Sequence, residues 1–187
     1  MISIHPRLFH ISEAGDIERF DPRPSPSHFD AITGDVVFAI AGHLLHNYLL
    51  PRDCPRVTCY ANAGTTPQDR DRFLGMSGAS HVIAIESDWF HRVNTTVLYR
   101  YEFPASTFLL LDETAGYYIS YEPVIPLAVR RIDNIFEELL NLEYIELHIL
   151  PELRKLGEAV VASTLSYSLI RMRNAKPQSH PPAGSPF

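Results

Sequence analysis

Two residues in this chain stand where an ionisable side chain is costly to place without a purpose. His10 lies in Leu8-Phe9-His10-Ile11-Ser12, and Glu122 in Gly116-Tyr117-Tyr118-Ile119-Ser120-Tyr121-Glu122-Pro123. Both runs are apolar and aromatic-rich, and both predict β-strands. A charge or imidazole inside such a run must be paired, hydrogen-bonded or turned to a cleft, because burying it alone is expensive. Residues two apart on a strand share a face, so Tyr118, Ser120 and Glu122 are expected along one side. A carboxylate beside a hydroxyl and a phenol suits a polyhydroxylated ligand such as a ribose. The plainer alternative has Glu122 bonded to a neighbouring strand or paired with Arg130 or Arg131. His10, likewise, either donates to a ligand hydroxyl or is a satisfied core histidine.

Arg52-Asp53-Cys54-Pro55-Arg56 is a dense charged turn. Arg52 or Arg56 can hold a phosphate or carboxylate bidentately, or close a local salt bridge with Asp53. His43 and His46 are three apart on a candidate helix, with no third ligand at a recognisable spacing, and read as solvated or capping. Cys54 and Cys59 are the two cysteines present. With no second pair, a Cys-only metal centre is excluded, and Cys59 reads as a small core residue. No metal is predicted. No Gly-x-Ser-x-Gly elbow or Gly-rich phosphate loop occurs, which gives hydrolase and P-loop readings little support.

The elements that must position these residues are mostly strands. Strand-like runs cover Ile4–Ile11, Val36–Ala41, Arg56–Ala61, His81–Glu86, Val97–Phe103, Phe108–Leu111, Tyr117–Glu122 and Tyr144–Leu150. In Val97–Phe103, Arg100 and Glu102 fall opposite Tyr99, Tyr101 and Phe103, the period-two mark of a half-buried strand. Most gaps are too short for a parallel crossover, so antiparallel pairing is expected. Helical spacing appears in Ile132–Leu142 and Leu153–Arg171, with a shorter candidate over Gly42–Leu50 closed by Pro51. Asp21–Phe29 holds Pro22, Pro24 and Pro26, too stiff and donor-poor to join a central sheet. Asn62–Ser80 reads as a lid or a solvated loop.

The 187 residues are 45% apolar and 11% aromatic, with a net charge of −6. That fits one α+β domain over residues 1–175 followed by a disordered Pro-rich tail over 176–187. The acidic balance makes nucleic acid an unlikely partner. No run is long enough to span a bilayer, and the first residues lack the pattern of a secretory signal. A cytoplasmic location and no membrane partner are the expectation.

Between Leu8 and Asn174 the chain resembles an uncharacterised bacterial protein family of unknown function. The resemblance is carried by Leu-Phe-His-Ile-Ser-Glu, Ile-Glu-Arg-Phe-Asp-Pro, Pro51–Arg56, Gly116–Pro123, Val161–Thr164 and Ile170–Asn174. It supplies no activity. Phe-His-Ile-Ser followed by Ile-x-x-Phe-Asp-Pro also resembles, more distantly, the first strand and loop of the ADP-ribosyltransferase-like fold. Glu122 matches the glutamate that a later strand of that fold carries.

That second resemblance implies a mostly antiparallel, split β-sheet core with a few helices, gripping NAD as substrate. It implies catalytic roles for His10 and Glu122: His10 binding a ribose hydroxyl, and Glu122 stabilising the oxocarbenium-like charge as nicotinamide leaves. The implied cofactor-binding set is His10, Ser12, Phe38, Tyr60, Arg52, Tyr118 and Ser120, with Phe38 first and Tyr60 second for the aromatic on a middle strand. Ser120 stands where protein-modifying members often carry Glu or Gln, so the acceptor is left open. The ligand expected is a dinucleotide or other small nucleotide. A non-catalytic nucleotide-binding or interaction module on the same fold is the alternative. An RNA 2′-phosphotransferase-like activity is a further one, disfavoured by the acidic charge.

Overall fold

The computed structural model describes residues 6–25, 28–75, 78–142 and 144–178. In chain order the regular elements are β1 (Leu8–Ser12), β2 (Val37–Ala41), β3 (Arg56–Tyr60), α1 (Pro67–Leu74), β4 (His81–Glu86), α2 (Phe90–Thr95), β5 (Leu98–Phe103), β6 (Leu109–Asp112), β7 (Tyr117–Ser120), β8 (Ala128–Ile132), α3 (Ile135–Leu140), β9 (Ile145–Leu150), α4 (Arg154–Val161) and β10 (Ser166–Ile170). The fold is α+β, with mostly antiparallel sheets and few helices. It divides into two compact units, Met1–Arg52 with Val93–Leu139 and Asp53–Arg92 with Leu140–Phe187.

The first unit holds a six-stranded sheet in the order β6-β7-β2-β1-β5-β8, antiparallel throughout. Gly116, at φ 66°, closes the β6–β7 hairpin in a conformation that side chains rarely adopt. The register sets the two faces. Leu8 stands between Ala41 and Phe103, His10 opposite Tyr101, Ala39 opposite Tyr118 and Val37 opposite Ser120. This face carries the core of Leu8, Val37, Ala39, Tyr101 and Phe103, closed from above by Phe20, Phe108 and Val124. Among the described residues the Pro-rich segment forms no strand; Arg23 makes an isolated bridge to Val36, just before β2, and Phe20, just ahead of the segment, makes one to Val124. The Gly42–Leu50 candidate forms a 3-10 helix over Gly42–Tyr48, and His46, expected to be solvated or capping, is buried in it.

The second unit holds a four-stranded sheet in the order β10-β3-β4-β9. β4 and β9 run parallel, a departure from the antiparallel expectation. A parallel pair needs a long crossover, and the whole stretch from Ser87 to Tyr144 supplies it. The core gathers Val57, Cys59, Val82 and Ala84 under Leu153, Val160 and Leu165. Cys54 and Cys59 are free and buried, and burial pushes their thiols up to about 12 and about 11. They are inert core groups.

Two expected helices and one expected loop also differ. The helix expected over Leu153–Arg171 stops at Val161, because Ser163 Oγ donates to Val160 O at 2.6 Å and then accepts from Leu165 N at 3.2 Å. Such local bonds compete with the helix ladder, and the chain continues as β10. The helix expected over Ile132–Leu142 is shortened to α3, with Asn134 Oδ1 taking the Glu137 amide at its start. The loop expected over Asn62–Ser80 contains α1, announced by Thr66 as N-cap and Pro67 behind it. Of the tail, Lys176–Gln178 are described and 179–187 lie outside the described residues, as do Ile4 and Pro26.

Candidate functional site

His10 is half-buried on the core-facing side of β1. Its ring lies 5.0 Å from that of Phe20 and 6.1 Å from that of Phe103. Nδ1 stands 3.2 Å from the carbonyl oxygen of Phe38. A carbonyl only accepts, so Nδ1 carries the proton and the neutral ring presents Nε2 as an acceptor. The contact falls where the pairing of β1 with β2 ends, after Leu8↔Ala41 and Phe9↔Ile40. The imidazole thus satisfies a carbonyl that the ladder leaves over.

Burial is the main force on this imidazole and lowers its pKa. The Phe38 carbonyl opposes that, and the positive charges of Arg52 and Arg23 depress it further. Both arginines are exposed, and each is tied to the site by its neighbours. Arg23 follows Phe20 by three positions and is bridged to Val36. Arg52 is held through its backbone amide, which donates to Glu13 Oε1 at 3.0 Å. A neutral imidazole acceptor can take a ligand hydroxyl and a guanidinium an anion, the combination a phosphorylated sugar requires.

Glu122 is not inside a strand. β7 ends at Ser120, and Glu122 follows in an exposed bend. Ser120 is fully buried, and its hydroxyl both donates to Glu122 O and accepts from Glu122 N at 3.1 Å. That local loop, followed by Pro123, ends the ladder. Arg130 pairs with Glu138 and Arg131 with Asp133, so neither holds Glu122. Phe20 joins the segment that follows Glu122 to the His10 ring. Its backbone exchanges two hydrogen bonds of 2.8 Å with Val124, and its ring touches the imidazole.

The remaining expected residues divide by face and by unit. His10, Ser12, Tyr118 and Ser120 share the core-facing side of the first sheet. Ser12 Oγ accepts from Ala14 N at 3.1 Å, and Tyr118 packs at the margin of the core. The Phe38 ring points to the opposite side, among Phe29 and Tyr117. What Phe38 brings to His10 is its carbonyl. Tyr60 belongs to the second unit, stacked on His81 at 4.8 Å. Sequence reading passed over Arg23 and Glu13, although Arg-between-prolines and Glu directly after the His-bearing strand were the available signals.

Among the described residues, no group of three His, Cys, Asp or Glu side chains is placed to hold a metal ion. No helix there is long and apolar enough to cross a membrane. The molecule is a two-unit α+β protein whose first unit carries His10, bonded to the Phe38 carbonyl, on the core-facing side of its sheet. The chain belongs to a family of unknown function, DUF6886, whose model matches residues 9–175. No curated protein and no solved structure matches it.

Proposed function

We propose that the first unit binds NAD or a related nucleotide at the His10 site. Its chemistry is transfer of ADP-ribose or cleavage of the glycosidic bond to nicotinamide. The observation that carries this reading is the neutral imidazole, fixed by the Phe38 carbonyl, with Arg23 and Arg52 acting on it. His10 Nε2 accepts a ribose hydroxyl, and the guanidiniums take phosphate oxygens. In the reaction the bond between nicotinamide nitrogen and the ribose carbon breaks, and its electron pair leaves with neutral nicotinamide. The exposed Glu122 carboxylate stabilises the cation left on the sugar. Water or an acceptor hydroxyl then adds to that carbon and loses a proton.

A non-catalytic nucleotide-binding module is the second reading. It is favoured by the Ser120 hydroxyl, which is spent on the Glu122 backbone, and by the Phe38 ring, which lies on the other face. One experiment separates the two. NAD is titrated calorimetrically into the purified protein, the His10→Ala variant and the Glu122→Gln variant, and nicotinamide release is followed alongside. Binding lost in His10→Ala, with release lost in Glu122→Gln, supports the enzyme. Binding without release supports the module. No saturable binding at millimolar NAD sinks both.

A further inference from the structure

Glu13 leaves the strand that carries His10, and its carboxylate reaches a main-chain amide 39 positions away, that of Arg52. No strand pairing joins these two segments, since the β1–β2 ladder has ended and the chain has turned through Gly42–Tyr48. Pro51, just before Arg52, has no amide of its own. The Arg52 amide is the first donor after it. Both residues are exposed, so the bond adds little to the core, and its consequence is where the Arg52 backbone sits.

We infer that Glu13 is a positioning residue: by holding the Arg52 main chain at the end of β1, it fixes a guanidinium beside His10 to receive the phosphate or diphosphate of the ligand. The inference rests on the nucleotide-binding reading for its ligand. Arg23, three residues beyond the Phe20 ring that touches His10, supplies the second cation of the anion site. The effect of both charges on the imidazole agrees with that placement. Glu13 touches no ligand in this scheme and works through a neutral attribute, an acceptor oxygen at the right place.

The test uses inorganic pyrophosphate and NAD as separate probes, titrated into the full chain and its variants. Glu13→Ala is expected to weaken both probes roughly ten-fold, the effect of misplacing one charge-assisted hydrogen bond. Glu13→Gln keeps an acceptor oxygen and should bind like the parent. Glu13→Asp is one methylene short and should follow Glu13→Ala, which covers the case that the alanine variant misfolds. Arg52→Ala should lose a similar factor, and the Glu13→Ala/Arg52→Ala pair should be no weaker than Arg52→Ala alone. Unchanged binding in Glu13→Ala and Glu13→Asp, a Gln variant as weak as Ala, or additive losses would each overturn the inference. If pyrophosphate shows the pattern and NAD does not bind, the inference stands and the dinucleotide reading falls. NAD binding with silent Glu13 variants gives the reverse, and silence with both probes removes both.

Discussion

His10 and Phe38 are joined through the carbonyl of Phe38, 3.2 Å from imidazole Nδ1, at the point where two adjacent strands stop pairing. The side chain of one strand thus replaces a missing rung of the ladder. That fixes the tautomer of the ring and makes Nε2 its acceptor nitrogen.

A titration follows from this contact. Burial, with Arg52 and Arg23, keeps His10 below its ordinary value against the pull of the Phe38 carbonyl. Between its folded value and the unfolded value of about 6.5, the unfolded chain binds more protons. Stability therefore rises with pH through that window and is lost on acidification below about pH 6.5. His10→Asn keeps a donor for the Phe38 carbonyl and cannot titrate. Urea midpoints measured between about pH 5 and pH 7.5 should slope less in His10→Asn than in the parent. An equal slope would assign the pH dependence elsewhere.

Ser120 and Glu122 should separate fold from chemistry. The buried Ser120 hydroxyl satisfies the Glu122 amide and carbonyl, so Ser120→Ala is expected to cost about 1–2 kcal/mol. Glu122 is exposed, and Glu122→Gln should stay within about 0.5 kcal/mol of the parent. Denaturant melts of the two variants check this. A Glu122→Gln loss as large as that of Ser120→Ala would make the carboxylate structural.

The sheets were legible in the sequence where one face alone is buried. β5 shows this best, with Tyr101 and Phe103 buried and Arg100 and Glu102 half-exposed. β8 escaped notice because it is an edge strand with Ala128 to Arg131 all exposed, leaving no alternation to read. β10 was masked by apolar spacing running on from α4, although Tyr167 and Leu169 alternate with Ser166 and Ser168. The site was only half legible. His10 stood out as an ionisable residue in an apolar run, but its partner is a carbonyl, which every residue has. Glu122 reads as a strand residue because it continues the aromatic run from Tyr117, whereas the Ser120 hydroxyl bonds its backbone and ends the strand two residues earlier. Arg52 was visible as a charge, whereas its contact with Glu13 depends on a turn that no local pattern announces.

Tyr101 ties the loop after β1 to the sheet. Its hydroxyl donates to Ala14 O at 2.9 Å and accepts from Ile17 N at 3.2 Å, while the residue is 1% exposed. Tyr101→Phe keeps the packing and leaves both loop groups to find water, at an expected cost of about 1–2 kcal/mol. Because Glu13 begins that loop, ligand affinity should fall together with hydrogen-exchange protection at Ile17. Full protection of Ile17 in Tyr101→Phe would contradict this role for the hydroxyl.

Glu86 performs the corresponding task in the second unit. At 1% exposure, its carboxylate accepts the Leu153 amide at 3.3 Å and the Lys176 amide at 3.0 and 3.2 Å. The first lies at the N-terminal end of α4, where a negative charge is favourable. The second anchors the chain after β10, so one side chain at the end of β4 fixes two segments distant in sequence. Glu86→Ala leaves both amides without this acceptor and is expected to cost about 2–4 kcal/mol. Glu86→Gln keeps one acceptor oxygen, loses the charge and should fall between the alanine variant and the parent. Urea midpoints order the three proteins, and hydrogen exchange at Leu153 and Lys176 locates the loss. A Glu86→Ala protein as stable as the parent would mean that these amides find other partners and that the carboxylate is not what holds the C-terminal segment.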